Sequence, residues 1–218
     1  MRLNQYIAAA SGMSRRAADR AITDGRVQIN DRVAVVGQTV EENSIVKLNG
    51  VELIPPKQKT TLIINKPAGY VCSRNGQGSK TIYDLLPPEF HNLKSVGRLD
   101  RDSSGLLLVT DDGQLANHLT HPSFVKEKVY HVMLNRPLEQ PDQMKIEKGV
   151  TLDDGLSSLK LKRLQNDVSW EVTMHEGRNR QIRRTFAKLR YNVLQLKRIA
   201  FGDYNLGDLQ DGSYRIIE

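Results

Sequence analysis

The chain has 218 residues, 39% hydrophobic and 26% charged, a composition that can bury a core without disulfide staples and excludes wholesale disorder. Its 32 Lys and Arg outnumber 25 Asp and Glu to give a formal charge of +7, which favours polyanionic partners. A single cysteine, Cys72, excludes an internal disulfide and a cysteine metal cage and points to a reducing, cytoplasmic compartment, while no apolar run approaches the roughly 20 residues a membrane-spanning helix needs.

The first sixty residues read as a unit of their own. Leu3, Tyr6, Ile7 and Ala10 fall on one helix face, and Gly12 ends that pattern. The stretch Ile7–Ala10 is too short for a signal peptide, and Arg15-Arg16 stand where a cleavage region should be. Ser14 can cap a second helix with Ala17, Ala18, Ala21 and Ile22 facing inward and Gly25 as its stop. Arg2, Arg15, Arg16 and Arg20 lie on these two helices and could form one basic surface. Strands are expected at Val27–Ile29 and Val33–Val36 around an Asn30-Asp31 turn, then at Ile45–Leu48 and Val51–Ile54 around Asn49-Gly50, a strong hairpin signal. The run Pro55–Lys59 is the best linker, giving domains at 1–56 and 60–218.

Beyond it come short strands with interspersed helices. Leu62–Ile64, Leu106–Thr110, Val129–Leu134 and Trp170–Met174 read as strands, Gln114–Leu119 as a helix, and Arg178–Arg190 as a helix with Ile182, Phe186 and Leu189 on one face. The irregular order predicts an α+β fold with a mixed, largely antiparallel sheet. Between His175 and Phe201 stand eight Lys and Arg (Arg178, Arg180, Arg183, Arg184, Lys188, Arg190, Lys197, Arg198) against Glu176 alone, so 8 − 1 = +7, as large as the charge of the whole chain. Such a run is commonly a solvated helix face; its density and arginine content point here to phosphate contacts.

Most candidates for chemistry fall away. His118 and His121 share a helix face but lack a third metal ligand nearby in sequence. Ser103-Ser104-Gly105 has no nucleophile-elbow pattern, and Gly76-Gln77-Gly78 is too short for a phosphate loop. Gly97-Arg98-Leu99-Asp100-Arg101-Asp102 differs: an aspartate sits in a loop between basic residues, just before an apolar strand.

Here the sequence resembles the pseudouridine synthases, within them the branch that modifies bacterial ribosomal RNA. Arg2–Ile7, Ser14–Ala18 and Gly25–Asn30 resemble an S4 RNA-binding domain of two helices followed by strands. Asn65–Ser73, Gly97–Asp100, Lys128–Tyr130 and Glu176–Arg184 are similar to the motifs of the synthase domain, although this branch commonly has Glu where Val129 stands. The wording of Gly69–Arg74 and Asp84–Pro88 is most similar to the members acting on the large subunit.

The resemblance implies an isomerase that detaches a uridine at its N1–C1′ bond, rotates it and rejoins it through C5, with no cofactor and no metal. It puts Asp100 in the place of the essential aspartate, Tyr130 in that of the active-site tyrosine, and Arg183 in that of the basic residue paired with the aspartate. Arg98 is suited to the space a flipped uridine vacates, with Lys66, Arg178, Arg180 and Arg198 as further substrate contacts. The expected partner is ribosomal RNA, of the large subunit, bound by a cytoplasmic monomer. Whether Asp100 attacks the ribose or the base, or removes a ribose proton, stays open at this point. A noncatalytic S4-type RNA-binding protein is the main alternative, opposed by the joint presence of Asp100, Tyr130 and Arg183. An RNA glycosidase would differ by releasing free uracil.

Overall fold

A computed structural model describes residues 1–55 and 58–217 of the chain. They divide into two compact units, Met1–Lys59 and Thr60–Glu218. The expected linker at 55–59 falls partly outside the described residues, at 56 and 57.

In the first unit α1 (Leu3–Ser11) and α2 (Arg15–Thr23) precede β1 (Val27–Ile29), β2 (Arg32–Val33), β3 (Val46–Leu48) and β4 (Val51–Glu52). Gly12 takes the left-handed conformation at φ 75° that lets its N–H close α1, and Ser14 Oγ accepts the Ala17 N–H to cap α2. Both two-residue turns, Asn30-Asp31 and Asn49-Gly50, have positive φ throughout, the geometry that matches strand twist in a tight hairpin. The sheet runs β2-β1-β3-β4, antiparallel throughout. Leu3, Ile7, Ala18, Ala21, Ile22, Val27 and Val46 form its core. The strand expected to reach Val36 stops at Val33, because Val33, Val35 and Val36 are exposed and have no core face to join.

The second unit contains β5 (Thr61–Lys66), β6 (Lys94–Ser95), β7 (Ser104–Thr110), α3 (Gly113–Thr120), β8 (Lys128–Leu134), α4 (Gln140–Lys148), β9 (Val150–Leu152), β10 (Gly155–Ser157), β11 (Lys160–Arg163), β12 (Ser169–Met174), α5 (Gln181–Lys188), β13 (Val193–Phe201), β14 (Tyr204–Asn205) and β15 (Tyr214–Ile217). The main sheet runs β11-β12-β8-β13-β7-β5-β15, with β14 beside β13 and β6 beside β7; β9 and β10 form a separate hairpin. Pairing is antiparallel except between β7 and β13. The α+β expectation, a mixed and largely antiparallel sheet, holds.

Strands β5 and β7 are covered on both faces. Leu62, Ile64, Leu107 and Val109 join the larger core with Val132, Trp170, Ile182 and Phe186, while Ile63, Leu106 and Leu108 join Leu119 and Phe201 opposite. Two-sided burial explains why both strands read as unbroken apolar runs. Helix α5 is shorter than expected because Arg180 sits at φ 47° and ψ 33°, left-handed, so regular helix begins at Gln181. No helix among the described residues is long and apolar enough to cross a membrane.

Candidate active site

The parallel pairing of β7 with β13 fixes the centre of the site. Gly105 lies opposite Arg198, and a Cβ at Gly105 would stand 2.2 Å from the Arg198 carbonyl oxygen and 2.6 Å from its nitrogen. With φ at +101°, this position admits glycine and disfavours anything larger. The loop Gly97–Ser103 enters β7 just before that point and forms one wall of a cleft of about 1170 Å³. Asp100 lines the cleft with its carboxylate one-third exposed.

The loop is held from behind by the segment that leaves β5. Lys66, fully buried, donates from Nζ to the carbonyls of Ser103 at 2.7 Å and Pro67 at 2.8 Å. The Gly69 N–H donates to the Arg101 carbonyl, and the Leu99 N–H reaches Cys72 Sγ at 3.4 Å. Burial pushes the Lys66 amine below its usual range, while Cys72, Asp102 and Asp100 pull the other way. Burial pushes the Cys72 thiol up, so it remains a neutral packing and hydrogen-bonding group.

From the side the loop is held by arginines at the start of α5. Arg180 forms a two-pronged pair with Asp102, at 2.8 and 2.9 Å, and its Nη1 lies 3.8 Å from Asp100 Oδ2. Arg183 donates to the carbonyls of Asp102 at 2.9 Å and Val193 at 2.6 Å, with its Nε 3.3 Å from Asp102 Oδ2. The hydrogen bonds from Arg180, then the charge of Arg183, hold the Asp102 carboxyl below the usual carboxylate range. The expected pairing of Arg183 with Asp100 therefore differs from the observed one. Arg183 grips Asp102, two residues on, and the guanidinium closest to Asp100 belongs to Arg180.

The other expected site residues separate into two groups. Arg98, Tyr130, Arg178, Arg180 and Arg198 line the cleft with Asp100. Lys66 does not: it is buried behind the loop, a brace and not a surface contact for substrate. Arg178 borders the cleft, but its guanidinium is tied to Asp154, Glu176 and the Leu156 carbonyl. Tyr130 stands on β8 directly across from Arg198 on β13, ring buried, facing the cleft. Arg2, Arg15, Arg16 and Arg20 belong to the first unit, where all four are exposed and none forms an ion pair among the described residues.

The basic run that looked like a free phosphate footprint is largely matched by acids from distant elements. Asp102 takes Arg180 and Arg183, Asp154 takes Arg178 and Arg184, Asp153 takes Lys188, and Asp211 takes Lys197. Cations lining the cleft without a carboxylate partner among the described residues are Arg98, Lys128, Lys160 and Arg198. Sequence reasoning missed Asp102 as the clamp, although it stands in the motif, and had no signal for Asp154, which sits in a turn far from α5. His118 and His121 pack against the Phe124 ring, and no group of three or more His, Cys, Asp or Glu among the described residues could hold a metal. The arrangement sets the accessible Asp100 carboxylate beside a guanidinium, an aromatic ring and cations that form no ion pair among the described residues, the elements of a site that holds a flat, uncharged ring on an anionic backbone.

Comparison with known proteins agrees with this geometry. A family profile described as RNA pseudouridylate synthase matches residues 60–188, and an S4 domain profile matches residues 1–46. A ribosomal large subunit pseudouridine synthase B of Bacillus subtilis is 32% identical over 98% of this chain and 91% of its own length. A ribosomal small subunit pseudouridine synthase A of Pasteurella multocida is 34% identical over 100% of this chain and 96% of its own. A crystal structure of a pseudouridylate synthase superimposes with a TM-score of 0.71 at 32% identity, covering 100% of this chain and 96% of that one.

Proposed function

The chain belongs to the RNA pseudouridylate synthase family and is an RNA pseudouridine synthase with an N-terminal S4 domain, and from that premise we propose that Asp100 is the carboxylate that drives isomerisation of a uridine in large-subunit ribosomal RNA. The reaction breaks N1–C1′ and forms C5–C1′, with a proton lost from C5 and one gained at N1. The observation that carries the assignment is the position of Asp100, accessible in the cleft on a loop anchored by Lys66, Gly69, Cys72, Arg180 and Arg183. A reacting group held this firmly needs little reorganisation during the reaction.

In this reading Tyr130 offers its ring to the uracil and its hydroxyl to proton transfer at C5. Arg180 and Arg183 hold the loop through Asp102 and keep Arg180 Nη1 3.8 Å from Asp100 Oδ2. Arg98, exposed at the cleft edge, takes the space or the phosphate left by the flipped nucleotide. Residues 1–56 supply affinity through Arg2, Arg15, Arg16 and Arg20, whose charges no carboxylate offsets among the described residues.

Pseudouridine mapping of both ribosomal RNAs, from cells with and without the protein, tests the proposal. A single large-subunit position that loses pseudouridine is expected. A change confined to the small subunit would move the substrate, and release of free uracil would replace isomerisation by glycosidic cleavage.

A further inference from the structure

Two of the cleft's cations, Arg198 and Lys128, are buried or half-buried and form no ion pair among the described residues. Arg198 is only 3% exposed; its Nε donates to the Leu106 carbonyl at 2.8 Å, while its Nη2 is buried without a hydrogen-bond partner among the described residues. Lys128, half-buried, donates its hydrogen bonds among the described residues to the carbonyls of Lys126, His175 and Glu176, at 3.3 to 3.5 Å. The two flank the same ring: Arg198 Cζ lies 4.8 Å and Lys128 Nζ 5.3 Å from the centre of Phe201. The acid that acts on Lys128, Glu176, is itself held by Arg178 and Gln181. Burial first, and Arg198 second, push the Lys128 amine below its usual range.

The rest of the basic segment is paired. Arg178, Arg180, Arg183 and Arg184 are each matched to an aspartate. Leaving a buried guanidinium half-satisfied beside an ammonium is costly unless a ligand supplies the missing charge and acceptors. A base carbonyl would satisfy one N–H but leave the charge; a phosphate satisfies both. Position narrows the choice further. Arg198 is the cross-strand neighbour of Tyr130, and adjacent strands lie about 4.8 Å apart, the scale on which a sugar separates a base from its own phosphate.

We propose that Arg198 and Lys128 form a phosphate pocket that takes the backbone phosphate of the nucleotide whose base stacks on Tyr130. The pocket rests on the function proposed above and deepens it: it anchors the target nucleotide by its backbone while the base turns.

Titrating the full chain with uridine, uridine 5′-monophosphate and uridine 3′-monophosphate, followed by amide NMR shifts, tests it. One of the monophosphates should bind the native protein about tenfold more tightly than uridine. That gain should fall to within about twofold in Arg198→Gln and in Lys128→Gln, and survive in part in Arg198→Lys. Lys128 is only half-buried and holds long bonds, so Lys128→Gln decides the matter if Arg198→Gln does not fold. Lys148→Gln, which removes an exposed charge away from the cleft lining, should keep the gain. No gain in the native protein, a gain that persists in a folded Lys128 variant, or an equal loss in Lys148→Gln would overturn the pocket. Pseudouridine formation without the phosphate gain would remove the pocket and leave the function; the gain without pseudouridine would do the reverse.

Discussion

Replacing Asp102 with Asn removes the charge that holds Arg180 and Arg183 while keeping a side-chain oxygen in place. At 4 Å and an effective dielectric of 20, Coulomb's law gives about 4 kcal/mol for one such pair. Asp102 is 47% exposed and Arg180 44%, however, so water screens the pair and its worth falls to about 1 kcal/mol. With the more distant Arg183 contact, the expected loss of stability is about 1–2 kcal/mol. The kinetic consequence is larger. Arg180 Nη1 already lies 3.8 Å from Asp100 Oδ2, and once released it can close a two-pronged pair on the proposed catalytic carboxylate. A charge-assisted bond of about 1.5–3 kcal/mol would have to break before Asp100 reacts, slowing turnover by roughly 10- to 100-fold. Single-turnover release of tritium from RNA labelled at uridine C5 measures this directly. Adding Arg180→Gln to Asp102→Asn removes the competing guanidinium, whose hold on the loop the first change has already released, and should restore part of the rate. A native rate in Asp102→Asn, or a double variant slower than the single one, would rule out capture of Asp100 by the released Arg180. Acid unfolding gives a second readout. The Asp102 pKa is depressed in the folded state, so its stabilisation is present above the unfolded value near about 3.9 and disappears as pH falls through the folded value. The stability difference between native protein and Asp102→Asn should therefore narrow in acid.

Lys66→Met keeps the bulk of the side chain but leaves the Ser103 and Pro67 carbonyls without their donor; relief of the buried ammonium offsets part of that cost, for a net loss of about 2 kcal/mol read from the urea midpoint. Gly105→Ala drives a methyl against the Arg198 backbone at positive φ and should destabilise by about 3 kcal/mol or more, seen as a large drop in thermal midpoint. Charge reversal at Arg15 and Arg16 should weaken RNA binding and flatten the slope of log affinity against log salt by about 1.5 or more; an unchanged slope would exclude phosphate contacts there.

Local patterns were legible in the sequence, and long-range pairings were not. The inward faces of α1 and α2, the Ser14 cap and the Asn49-Gly50 turn depend on neighbours within four residues, and they form as expected. Strand β13 was hidden because its apolar positions are interleaved with Lys197 and Arg198, which drew attention as charge. Helix α4 carries one fully buried side chain, Ile146, too little for an apolar face to register. At the site, Asp100 stood out by its motif. Its arginine partner could not be fixed from spacing, because Arg180 lies left-handed at the mouth of α5 and Asp102 intercepts Arg183. The apparent charge patch failed for a related reason: Asp102, Asp153, Asp154 and Asp211 reach it only through the fold.

If Asp100 carries the chemistry, Asp100→Asn abolishes it. The change preserves the shape of the side chain and removes the anion. Tritium release from C5-labelled uridine in ribosomal RNA should fall below detection, while RNA affinity changes little, because attraction is spread over the 32 Lys and Arg. Appreciable pseudouridine formation by the Asn protein, with deamidation back to Asp excluded by mass spectrometry, would contradict the account.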